Sequence, residues 1–76
     1  MDFKIDKINK LVDVRHDGYK TEFAEALGIN RPTVSQILNK SMPPTKSFIT
    51  RFYFYCKRNN LKFDSFVDIE KVKKVN

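Results

Sequence analysis

Residues 20–39 read KTEFAEALGINRPTVSQILN, and the fold turns on where this stretch breaks. Phe23, Ala24 and Leu27 recur at steps of one, three and four, which places them on one face of a helix over Lys20 to Leu27. Gly28 follows, the residue type that most readily ends a helix in a left-handed conformation. Asn30 is then suited to cap a new helix. Pro32 falls in that helix's first turn, where a missing N–H costs nothing. The spacing therefore predicts a second short helix over 31–39, beginning within a few residues of the first. Two helices joined so closely must cross steeply, which needs a small residue at the contact, and Ala24 supplies one.

The same spacing extends outward in both directions. Ile5, Ile8, Leu11, Val12 and Arg15 follow steps of three and four, predicting a helix from about Phe3 to His16, with Phe3 and Val14 off its stripe. Lys40 to Lys46 (KSMPPTK) reads as a loop, because a residue preceding proline is pushed out of helical geometry. Thr45 or Ser47 is suited to cap a further helix ending near Asn59–Asn60. Its stripe holds Phe48, Ile49, Phe52, Tyr53, Tyr55 and Cys56, with Phe54 on the far side among Arg51, Lys57 and Arg58. Asp64 would cap a fifth short helix containing Phe66, Val67 and Ile69, followed by a basic tail over about 70–76. The expectation is one all-α domain over 1–76, a compact bundle of about five short helices.

Composition narrows the function classes. A chain of 76 residues has one thin core and little room to enclose a catalytic cleft. Seven Phe and three Tyr supply the apolar area that a disordered chain lacks. Lys and Arg number 15 against 9 Asp and Glu, a formal charge of +6. By segment the excess is 0 over 1–18, +2 over 19–47 and +4 over 48–76. Such an excess suits an anionic partner, nucleic acid more often than a membrane surface. A single cysteine, Cys56, excludes an internal disulfide, and with one histidine no metal-ligand spacing is present. No stretch resembles a signal peptide or a spanning helix, so a cytoplasmic location is expected. No Ser/His/Asp, Cys/His or carboxylate pair is arranged for catalysis, so neither an enzyme nor a cofactor is expected.

At 100° per residue, Val34, Ile37 and Leu38 cluster within about 100° of arc on the helix over 31–39 and must face the core. Pro32, Ser35, Gln36 and Asn39 fall on the opposite arc, with Arg31 at its edge. That face has no acidic residue. It carries side chains that match base edges: Arg for guanine, Gln for adenine, Ser for either. A short helix, a tight turn and a second helix with an outward polar face is the arrangement of a helix-turn-helix. Its second helix lies in the DNA major groove.

The run TEFAEALGINRPTVSQILN resembles the lambda-repressor-like, Cro-type (XRE-type) helix-turn-helix family. Phe23–Ala24, Leu27–Gly28–Ile29, Asn30, and Thr33–Val34–Ser35 with Ile37 occupy the places of that family's pattern. The match is close over 20–39 and weaker over the remaining helices. The resemblance implies base reading by Arg31, Pro32, Ser35 and Gln36. It implies phosphate contact by Lys20, Asn30, Asn39 and Lys46, and Thr33 and Lys40 beside them are expected to join that set. Lys20 stands where the family usually has Gln, Tyr19 where a Ser or Thr cap is usual, Leu38 where an acidic residue is frequent, and Lys40 where a Gly is frequent. Pro32 offers at most apolar contact to a thymine methyl.

The implied function is sequence-specific binding of double-stranded DNA by a repressor-like transcriptional regulator in the cytoplasm, associated with the nucleoid. Family members commonly act as symmetric dimers, so a homodimer interface is expected around Phe54 and Tyr55. The alternative is a protein-interaction module on the same fold, such as the antitoxin of a toxin–antitoxin pair, with the aromatic helix against a protein partner. His16, near a helix end, is expected to favour the dipole rather than a ligand. Cys56 is expected to be a small buried hydrophobe.

Overall fold

The computed structural model describes residues 2–68. The chain is mostly helical: α1 (Ile5–His16), α2 (Lys20–Leu27), α3 (Arg31–Leu38) and α4 (Lys46–Arg58). A 3-10 turn (Phe63–Phe66) follows, and a small antiparallel sheet joins β1 (Asp2–Phe3) to β2 (Val67–Asp68). The all-α class expected from the sequence is what the molecule shows, with this one strand pair added.

Local chemistry explains the boundaries. Asn30 Oδ1 accepts from Thr33 N at 3.0 Å and Pro32 lies in the first turn, so α3 starts at Arg31. Thr45 Oγ1 accepts from Phe48 N at 3.1 Å and starts α4. Tyr19 gives α2 no side-chain cap, as a residue without a short side-chain acceptor must. Gly28 ends α2 at φ 77°, and its N–H reaches the carbonyls of Ala24 and Glu25.

Two expectations are corrected at the ends of the chain. The first helix begins at Ile5 rather than Phe3, because Phe3 pairs with Val67 as β1 and turns its ring onto Phe48, Phe52 and Phe63 at 5.8–6.3 Å. The fifth helix is replaced by the 3-10 turn and β2. Lys4 N donates to Phe66 O at 2.8 Å, and Val67–Asp68 pair with Asp2–Phe3, so this segment joins the N-terminal strand instead of coiling on itself. Ile69 and the tail over 70–76 lie outside the described residues.

The core gathers Ile8 and Val12 from α1, Phe23, Ala24 and Leu27 from α2, Val34, Ile37 and Leu38 from α3, and Phe48, Phe52, Tyr55 and Cys56 from α4. Phe52 sits at its centre, with the rings of Phe3, Phe23, Phe48, Tyr55, Phe63 and Phe66 at centroid distances of 5.3–6.3 Å. Most of these pairs are edge-on or tilted, as ring quadrupoles favour. α2 is thereby packed against the aromatic side of α4 through Phe23, while α3 packs against α1 and α2.

Candidate nucleic-acid interface

The aliphatic face of α3 is fully used in packing: Val34, Ile37 and Leu38 are all buried. Arg31, Pro32, Gln36 and Asn39 are exposed, while Ser35 and Thr33 are half-buried. Ser35 is therefore less open than the helical wheel implied, with its neighbour Gln36 projecting further. No acidic residue occupies the first turn of α3, and the positive end of its dipole is left uncompensated by a carboxylate. The exposed face can donate and accept hydrogen bonds and can receive negative charge.

Around this face the structure brings together two pairs of side chains and one side-chain-to-backbone contact. Lys20 Nζ donates to Asn39 Oδ1 at 3.0 Å, joining the start of α2 to the end of α3. Lys20 keeps its remaining ammonium hydrogens and Asn39 its amide N–H groups, so both remain donors. Lys40 Nζ lies 3.1 Å from Asp6 Oδ1 in an exposed ion pair with α1. Asn30 uses its carbonyl oxygen on Thr33 N and retains its amide donors. Lys40 adopts φ 64°, the left-handed conformation that explains why glycine suits this place.

Lys46 stands apart from the α3 face, at the start of α4. It lines a shallow groove of about 470 Å³ with Ser47, Thr50, Arg51 and Phe54. Among the described residues the basic groups within 4 Å of a carboxylate are His16, beside Glu22, and Lys40, beside Asp6, so Arg31, Lys46 and Arg51 have no carboxylate partner there. The Arg51 guanidinium reaches the helix turn: a Cβ placed on Gly28 would lie 2.7 Å from its Nη1. Sequence reasoning missed Arg51, whose place on α4 carries no motif signal.

Tyr55 is corrected outright as an interface residue. It is 2% exposed, and its hydroxyl lies 2.8 Å from His16 Nε2. Burial raises the Tyr55 hydroxyl above its ordinary range, against a smaller opposing pull from Arg15. Phe54 is 52% exposed, and the ring beside it is Tyr53, 40% exposed and 5.5 Å away edge-on. Tyr53 therefore leaves the core stripe in which the wheel placed it. His16 closes α1 and contacts Tyr55 and Glu22, binding three helices together. Cys56 is fully buried, and burial pushes its thiol up to about 11.

No helix among the described residues is long and apolar enough to cross a membrane. Among those residues no three His, Cys, Asp or Glu side chains come together as a set for a metal ion. No family model, curated protein or solved structure matches the chain at a significant level.

Proposed function

We propose that this chain is a sequence-specific double-stranded DNA-binding regulator of repressor type, with α2 and α3 acting as a helix-turn-helix. The observation that carries this is α3 itself. Its aliphatic side is locked into the core while Arg31, Pro32 and Gln36 stand in the open with no carboxylate among them. Arg31 and Gln36 read base edges in the major groove, Ser35 assists from a partly sheltered position, and Pro32 meets a thymine methyl. Lys20, Asn30, Thr33, Asn39, Lys40 and Lys46 hold phosphates and fix the docking register. A homodimer forms on DNA through Phe54 and Tyr53. This places the protein in the cytoplasm with the nucleoid, without a cofactor and without catalysis.

Selection of bound duplexes from a random library, at one stated salt concentration, tests this function. An enriched palindrome is the expected result. Recovery of duplexes with no common sequence, from folded protein, rejects it.

A second function is favoured by one observation, the exposed Tyr53–Phe54 pair beside the α4 groove. Under it the chain is a protein-interaction module of antitoxin type, with a partner protein covering α4. Co-purification of a stoichiometric partner, together with no duplex binding at low salt, distinguishes it from the first.

A further inference from the structure

Three consecutive residues at the C-terminal end of α3 are tied to other helices. Asn9 Nδ2 of α1 donates to Leu38 O at 3.1 Å, Lys20 Nζ of α2 donates to Asn39 Oδ1 at 3.0 Å, and Lys40 Nζ pairs with Asp6 Oδ1 of α1 at 3.1 Å. The lysine contacts are exposed, where water and salt weaken them. The Asn9 contact is partly buried and spans 29 residues of sequence. Leu38 O is one of the terminal carbonyls that a helix cannot satisfy internally, and Asn9 satisfies it from outside.

We infer that Asn9 is a positioning residue for the proposed DNA contact: by holding Leu38 O it sets the angle at which α3 presents Arg31 and Gln36. This inference rests on the DNA-binding function proposed above. Leverage is the physical reason. At 1.5 Å per residue, Arg31 stands roughly 10 Å from Leu38 along the helix axis. A rotation of about 10° at the Leu38 end carries the Arg31 end roughly 2 Å sideways, whereas base hydrogen bonds tolerate only a few tenths of an ångström. Phosphate contacts by long lysine side chains follow such a movement; short-range base contacts do not. Asn9 therefore acts on sequence discrimination more than on general affinity for DNA. It lies outside residues 20–39, where no motif points to it.

The test compares the selected duplex with a random duplex of equal length at the same salt, using wild type, Asn9→Ala and Asn9→Gln. Thermal melting is recorded on each. Asn9→Ala should weaken the selected duplex about tenfold while changing the random duplex less than about twofold. Asn9→Gln, which keeps an amide donor, should recover most of that discrimination. If the alanine variant does not fold, Asn9→Leu keeps the approximate volume, removes the donor without adding charge and replaces it in the comparison. Equal losses on both duplexes, or no loss on either while wild type discriminates, overturn the inference alone. A wild-type chain that treats the two duplexes alike overturns the DNA-binding function, and this inference with it.

Discussion

Gly28 and Lys40 share a left-handed backbone, at φ 77° and 64°, yet only one of them is glycine. A side chain in that conformation costs about 1–2 kcal/mol. Gly28→Ala adds a Cβ 2.7 Å from Arg51 Nη1, although that guanidinium is the movable end of a long side chain. The variant should therefore lose about 1–2 kcal/mol in urea unfolding, chiefly from the backbone. Lys40→Gly relieves strain already present and should gain up to about 1 kcal/mol, offset in part by a freer unfolded chain. Opposite signs are expected for the two; like signs would refute the conformational explanation.

Cys56 gives a residue-level statement about pH. Burial raises its folded pKa to about 11 from an ordinary 9.0, and Tyr55 is raised in the same direction for the same cause. Both groups hold their protons more tightly when folded, so the unfolded chain ionises first as pH rises. Their contribution to stability is complete below pH 9 and is lost as pH climbs towards 11. Urea midpoints should fall across that window, and Cys56→Ala should flatten the fall. The same thiol should resist a disulfide reagent at pH 8 until the protein is unfolded. Rapid labelling of native protein would contradict its burial.

At the scale of elements, the helices were legible because each has local signals. Three-and-four spacing marks α1 to α4, Asn30 and Thr45 mark two starts, and Gly28 marks an end. The 3-10 turn and β2 were not, because Phe66–Val67 is a short apolar run that fits helix or strand equally. The strand partner that decides it, Asp2–Phe3, lies at the opposite end of the sequence. Tyr53 and Tyr55 were misassigned for different reasons. Tyr53 sits at the edge of the α4 stripe, where neighbouring elements decide burial, and Tyr55 belongs to the buried stripe that the periodicity assigned it, where it meets His16 and has no surface for a partner. The α3 face followed from its own periodicity, whereas Asn9 and Arg51 reach the site from other elements and left no trace in it.

The α3 face and the α4 groove predict different mutant behaviour. Gln36 is a base-edge residue in this proposal, so Gln36→Ala should cost about 1–3 kcal/mol on the selected duplex and relax its specificity. Lys46 begins α4 outside α3 and has no carboxylate partner among the described residues. Lys46→Ala should weaken every duplex alike and reduce the slope of log affinity against log salt by about one. Exchanged outcomes, with Lys46 controlling specificity and Gln36 the salt slope, would reverse the assignment of the two surfaces.

For the whole molecule, charge and exposed aromatic area oppose each other in self-association. The chain carries +6, and Lys46 and Arg51 line the same α4 groove as Phe54. Two copies meeting through Phe54 and Tyr53 bring these cations towards one another, a repulsion that phosphates relieve. Two half-exposed rings also supply far less than the ~800 Å² per partner of a standard stable interface. Pairing should therefore depend on DNA: sedimentation at tens of micromolar should give a monomer alone and two chains on one palindromic duplex. Phe54→Asp buries nothing new and places a charge at the proposed contact. It should leave the melting temperature within a few degrees and abolish cooperative loading of the second chain, while a single half-site binds as before. One chain per full palindrome at saturation for wild type, or unchanged cooperativity in Phe54→Asp, would remove α4 from the assembly and leave the basic groove without a role in pairing.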